Sequence, residues 1–150
     1  MALSRQDFER LAAFRLKLRQ FHAFSEQASG QVGITQQQYQ ALLAMRAHKG
    51  PGTLTISDLA AEMLIKHHSA VGMVNRLEQQ GLVRREGSNS DRRKVAVHLT
   101  EQGARVFAKL ASVHWAELRR IAPDLERFFA HFAPVARAAR PANGKRRARS

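Results

Sequence analysis

Apolar residues in this chain recur every three or four positions almost from end to end, and they alternate in only one stretch, between Leu82 and Leu99. Spacing of three or four marks one face of a helix, and strict alternation marks a half-buried strand. A chain patterned this way folds as a helical protein with room for a single small hairpin. From Gln6 to Ala28 the stripe is Phe8, Leu11, Phe14, Leu18 and Phe21, with Leu16 and Phe24 off it, and Gly30 and Gly33 break it. Thr35 with Gln38, and Thr55 with Asp58, have the spacing of capping boxes and predict two further helix starts. Between them Gly50-Pro51-Gly52 enforces a turn, and Thr53-Leu54 reads as a minimal strand.

A tight turn near Leu64–Lys66 leads to a helix from about His67 to Gln80, with Ala70, Val71, Val74 and Leu77 inward and Gly81 as its stop. Leu82 to Glu86 is one predicted strand, and Val95, Val97 and Leu99 lie on the other. The tip between them, Gly87 to Arg93, is polar with a basic end. Thr100 caps a long helix carrying Val106, Phe107, Leu110, Val113, Leu118 and Ile121. Pro123-Asp124 predicts a break, followed by a last helix with Leu125, Phe128, Phe129 and Phe132. The expected fold class is mainly α with a small β-wing, a winged helix-turn-helix flanked by N- and C-terminal dimerisation helices. Its expected divisions are residues 1–34 (N-terminal dimerisation helix), 35–99 (DNA-binding unit), 100–136 (C-terminal helices) and 137–150 (basic tail).

Charge narrows the partner. The 150 residues carry +13, and removing the six basic residues of 137–150 leaves +7 on the rest. A polyanion is the natural partner of such a body, although a basic surface also serves solubility alone. Cysteine is absent, which removes disulfides, thiolate metal sites and thiol-based redox sensing. The seven histidines include no zinc-like spacing with a carboxylate, and no cofactor is expected. There is no Gly-rich phosphate loop and no nucleophile elbow, so an enzyme is not expected. No apolar run reaches the ~18 residues of a membrane span. The opening MALSRQDFERL carries charge early and lacks a long apolar core, which predicts no secretory signal and a cytoplasmic location.

A helix is narrow enough to enter the major groove of DNA, where base edges present a distinguishable pattern of donors and acceptors. The candidate recognition-helix residues are Lys66, His67, His68, Ser69, Gly72, Met73, Asn75 and Arg76. The candidate wing residues are Arg84, Arg85, Ser90, Asp91, Arg92, Arg93 and Lys94. A tip with Arg92 and Arg93 suits a narrow minor groove, while Arg84, Arg85 and Lys94 suit phosphates. Each piece alone also reads as solvated surface; the ordered combination favours duplex recognition. Phe8, Leu11, Phe14, Phe21, Leu125, Phe128, Phe129 and Phe132 are the expected dimerisation residues, too many apolar groups for two exposed arms, with packing inside one chain as the other reading.

The stretch RLEQQGLVRREGSNSDRRKVAVHLTEQG, residues 76–103, resembles the helix-to-wing signature of the MarR family of bacterial regulators. The matching elements are Arg76-Leu77-Glu78, Gly81-Leu82-Val83, Arg85, Asp91-Arg92-Arg93, and Leu99-Thr100 with Gly103. The resemblance implies a homodimer with interlocked terminal helices, a recognition helix in the major groove and a wing arginine in the minor groove. It also implies that Asp91 orients the wing arginines, and that the protein represses nearby genes until a small aromatic or phenolic acid binds. The expected partners are double-stranded DNA with an inverted-repeat operator, a second copy of the chain, and a small aromatic effector, with no membrane. His114, Trp115 and Arg119 are candidates to face an effector cleft, although a Trp placed like Trp115 is more often plain core. Gly72 departs from the family, many of whose members carry a polar or basic residue there; DNA approach and helix packing are both open as its reason. Absence of cysteine excludes the peroxide-sensing branch. A non-specific architectural nucleic-acid-binding protein is the alternative class.

Overall fold

The computed structural model describes residues 1–50, 53–87 and 94–132. In chain order the elements are α1 (Arg5–Gly30), α2 (Gln36–Ala47), α3 (Ile56–Glu62), α4 (His67–Gln79), β1 (Val83–Glu86), β2 (Ala96–Leu99) and α5 (Glu101–Ala130). The mainly α architecture with one small hairpin is as the sequence predicts. Among the described residues no helix is long and apolar enough to cross a membrane.

The capping boxes at Thr35/Gln38 and Thr55/Asp58 both form, each threonine hydroxyl accepting from the backbone three residues on while that side chain accepts from the threonine N–H. Ser4 with Asp7 makes a third, opening α1, at a spacing the sequence shows but the expectation above omits. Strands β1 and β2 pair antiparallel, Val83 opposite Leu99 and Glu86 opposite Ala96. The minimal strand at Thr53-Leu54 is reduced to a bridge between Thr55 and Ala96, with Leu54 accepting from Val97 N–H at 2.9 Å.

The core lies among α2, α3, α4, the hairpin and the first turns of α5. Leu42, Leu59, Val74, Leu77 and Val83 are fully buried there, each contributing about 1.5–3 kcal/mol. Gly103 fixes how α5 joins it: a Cβ at that position would sit 1.9 Å from the carbonyl oxygen of Leu82, so only glycine lets the helix lie against that backbone. Thr100 holds the same corner, capping Gly103 N–H and donating its hydroxyl to the Gly81 carbonyl.

Pro123 does not divide the C-terminal region into two helices; α5 runs through it. A proline removes one helical hydrogen bond and crowds the preceding turn, but burial before it and contacts with α1 after it hold the helix together. Ile121 is buried, Lys17 Nζ lies 2.9 Å from Asp124 Oδ2, and Phe14 stacks on Phe128 with ring centroids 4.3 Å apart. Tertiary packing thus overrides the local signal.

Candidate nucleic-acid interface

Helix α4 follows α3 through a turn whose geometry is set by three residues. Leu64 takes a left-handed φ of 55°, while Leu64 N–H donates to Ala61 and Ile65 N–H to Ala60. This is the hydrogen-bond pattern that ends helices at glycine, built here on leucine. Lys66 then caps α4, with no side-chain hydrogen bond.

Lys66, His67, His68, Ser69 and Arg76 are exposed along α4, and Gly72 and Asn75 are half-buried, the Oδ1 of Asn75 buried without a partner among the described residues. Met73 is corrected: it is only 3% exposed and belongs to the core. Ala70, Met73, Val74 and Leu77 form the buried face, the i, i+3, i+4, i+7 pattern, and Val71, expected inward, stands half-buried at its margin. The room around Gly72 answers one open point. Among the described residues a Cβ there would meet nothing nearer than Arg76 Nη1 at 3.7 Å, so packing against them does not demand glycine.

The hairpin stands against the first half of α4. His67, His68 and Val71 share one groove of about 420 Å³ with Ile56, Arg85 and Val95. Glu78 ties the two elements: its Oε2 accepts from Arg85 N–H and its Oε1 from Arg85 Nη2, both at 3.0 Å. Arg85, expected as a phosphate contact, is therefore a brace whose charge is matched by Glu78. Arg84 is exposed, 3.9 Å from Glu86, which also receives His98 Nε2 at 3.0 Å. Lys94 is exposed. Ser90, Asp91, Arg92 and Arg93 lie outside the described residues, as does the 137–150 tail.

The expected dimerisation residues divide into two groups. Phe8, Leu11, Phe129 and Phe132 remain exposed, from 41% to 61%. Phe14, Phe21, Leu125 and Phe128 are half-buried, Phe14 between Phe128 and Phe129, and Phe21 against Phe24 and His114. Of the residues expected at an effector cleft, His114 is buried while Trp115 stands 67% exposed and Arg119 is exposed away from the cleft. A cleft of about 550 Å³ does lie between α1, α2, α5 and the end of α3, with Phe21, Tyr39 and His114 as its aromatic side. His114 stacks on Tyr39 at 4.2 Å, and burial raises the Tyr39 phenol above its ordinary pKa. The Leu110 carbonyl can only accept, so His114 Nδ1 donates to it, and in the neutral ring Nε2 accepts from the Ser25 hydroxyl, both at 2.8 Å. Ser25 escaped the sequence reading, although Phe21, Phe24, Ser25 and Ala28 share the helical spacing of one face.

Fold and site together define a winged helix-turn-helix protein. The MarR family model matches residues 32–94, and that segment is similar to the winged unit of MarR family proteins. The organic hydroperoxide resistance transcriptional regulator of Bacillus subtilis is 35% identical over 82 residues, 55% of this chain and 54% of that protein. The chain spans about half the length of the curated relatives it matches. Among solved structures, AbsC, a MarR family transcriptional regulator from Streptomyces coelicolor, is 28% identical with a TM-score of 0.67, covering 91% of this chain and 95% of that one. The MepR–DNA complex of Staphylococcus aureus shares the fold at 21% identity and a TM-score of 0.63, over 86% and 91% of the two chains. The matched proteins are transcriptional regulators rather than enzymes. Without cysteine, this chain has no thiol with which to sense a hydroperoxide.

Proposed function

We propose that the protein is a homodimeric, sequence-specific, DNA-binding transcriptional regulator of the cytoplasm, a repressor that leaves its operator when a small aromatic ligand binds. The observation that carries this reading is the shared groove of α4 and hairpin, where His67 and His68 stand beside Arg85. Residues 35–99 supply the duplex-binding unit, with Lys66, His67, His68, Ser69, Gly72, Asn75 and Arg76 toward the major groove. Arg84, Lys94 and the tip residues Ser90, Asp91, Arg92 and Arg93 are assigned to the backbone and minor groove, while Arg85 ties β1 to α4 through Glu78. Residues 1–34 and 100–136 dimerise through Phe8, Leu11, Phe129 and Phe132. A two-fold dimer sets its recognition helices about 34 Å apart, one DNA turn, and requires an inverted repeat. The MepR–DNA complex, of the same fold, supports a duplex as partner. The cleft beside His114, bordered by residues of the turn before α4, is the effector site.

Competition binding to the DNA upstream of the protein's own gene tests the reading. The protein should prefer that duplex over unrelated DNA, with affinity falling steeply as salt rises. Arg92→Ala should weaken binding about ten- to a hundredfold and leave the folded structure unchanged. Equal affinity for unrelated duplex would instead favour the architectural alternative suggested by the +13 charge.

A further inference from the structure

Gly72 sits inside α4, where a glycine costs about 1 kcal/mol relative to alanine. Successive helical residues turn by about 100°, which places Gly72 with His68, Asn75 and Gln79 on the stripe opposite the buried row Ala70, Met73, Val74 and Leu77. The middle of the outward face of α4 is therefore bare backbone. Among the described residues, the one atom within 4 Å of a Cβ built there is Nη1 of Arg76, at 3.7 Å.

Arg76 thus fills the place of the missing side chain from one turn further on. Helical side chains lean toward the N-terminus, and this lean carries the guanidinium back to the level of Gly72, although Arg76 also borders the start of α2 beside Thr35 and Gln38. A methyl group at position 72 fits beneath the guanidinium, whereas a longer side chain would take its place. Arg76 is exposed and forms no ion pair or side-chain hydrogen bond with a described residue. The one acid of α4, Glu78, accepts from Arg85 N–H and Nη2, and Arg84 lies 3.9 Å from Glu86. Among the described arginines of α4 and the hairpin, Arg76 alone keeps its donors uncommitted.

A planar fork of unmatched N–H donors fits guanine, whose O6 and N7 are neighbouring acceptors in the major groove. Phosphates line the walls of that groove, and base edges form the floor that faces the midline of an inserted helix. We propose, resting on the duplex-binding reading, that Arg76 is a specificity-determining residue whose fork reads one guanine in each half-site. Gly72 is glycine because the fork needs the room over the midline of α4.

Selection of preferred duplexes from a random pool by the full chain, followed by fluorescence anisotropy, tests this. The protein should select a guanine at one position of each half-site, and replacing that G·C pair by A·T should weaken binding about tenfold or more. Arg76→Ala should erase the preference at that position and leave the other positions as they were. Arg76→Gln should turn it toward adenine, whose N6 and N7 suit an amide. Gly72→Leu should erase it with Arg76 still present, whereas Gly72→Ala should keep it whatever the overall affinity. Thermal melting checks that each variant folds, and the two Arg76 variants carry the test if Gly72→Leu does not. Uniform weakening across all sequences in Arg76→Ala marks a phosphate contact and overturns the proposal. A guanine preference that survives in folded Gly72→Leu overturns the role given to Gly72. A preferred sequence that both Arg76 variants leave unchanged overturns the proposal alone, while the absence of any preferred sequence overturns the regulator reading and the proposal with it.

Discussion

The two halves of this molecule complete themselves differently. In the winged unit, Leu42, Leu59, Val74, Leu77 and Val83 are sealed within one chain. In the arms, α1 spans 26 residues but fully buries only Ser25, Ala28 and Ser29, all in its last turns, and Phe8, Leu11, Phe129 and Phe132 face outward. A surface of this kind marks an interaction site rather than a finished fold. If the arms assemble as proposed, stability of the winged unit and assembly of the arms should be separable properties, and substitutions should separate them.

The largest effects should come from one variant in each half. Leu59→Ala removes a fully buried side chain and should lower unfolding free energy by about 2–5 kcal/mol in denaturant titrations. Phe129→Ala with Phe132→Ala should leave the protomer folded but weaken dimerisation at least about a hundredfold by sedimentation equilibrium. If the double variant unfolds instead, the two halves are not independent. Next comes Gly103→Ala, at the corner joining them. Its methyl group would strike the Leu82 carbonyl, and a loss of about 1–3 kcal/mol or more in thermal or chemical unfolding is expected. A neutral outcome would show that α5 can slide on the winged unit.

Gly72→Ala should have a smaller effect, of opposite sign for the two properties. The helix gains about 1 kcal/mol because the space is open, while duplex affinity falls if DNA is what requires the bare backbone. A variant that is both more stable and equally tight would remove DNA contact as the reason for the glycine. Acid should produce the smallest change. The Thr55 backbone N–H and hydroxyl hold the Asp58 carboxyl below its usual 3.8, and Lys17 does the same for Asp124 in the arms. Depressed carboxylates stabilise above that value, and the benefit is lost as pH falls through the lower folded values. Asp124→Asn should reduce the acid sensitivity of helix melting only at low salt, since an exposed ion pair is screened, whereas Asp58→Asn should reduce it at any salt.

Much of this could be read from the sequence because it depended on local rules. Threonine caps at Thr35, Thr55 and Thr100, the glycine stop at Gly81 and the alternation after Leu82 are short-range signals, and each element starts or ends close to where they place it. Pro123 misled because the contacts that carry α5 through it come from α1, more than 100 positions earlier in the chain. Met73 was misplaced because a methionine on a helix satisfies either face until the neighbouring elements are known. Arg85 looked free because Glu78, its partner, lies across a turn on another element. The cleft was only partly visible: His114 was singled out, but Ser25 and Leu64 acquire meaning only when α1, α5 and the end of α3 converge.

Methylation protection of guanine N7 on an operator fragment tests the central claim most directly, because that atom faces the major groove. The account predicts two protected tracts on one face of the duplex, about one helical turn apart, each lost when the exposed residues of α4 are replaced. Protection confined to the minor groove, or spread evenly without regard to sequence, would contradict it.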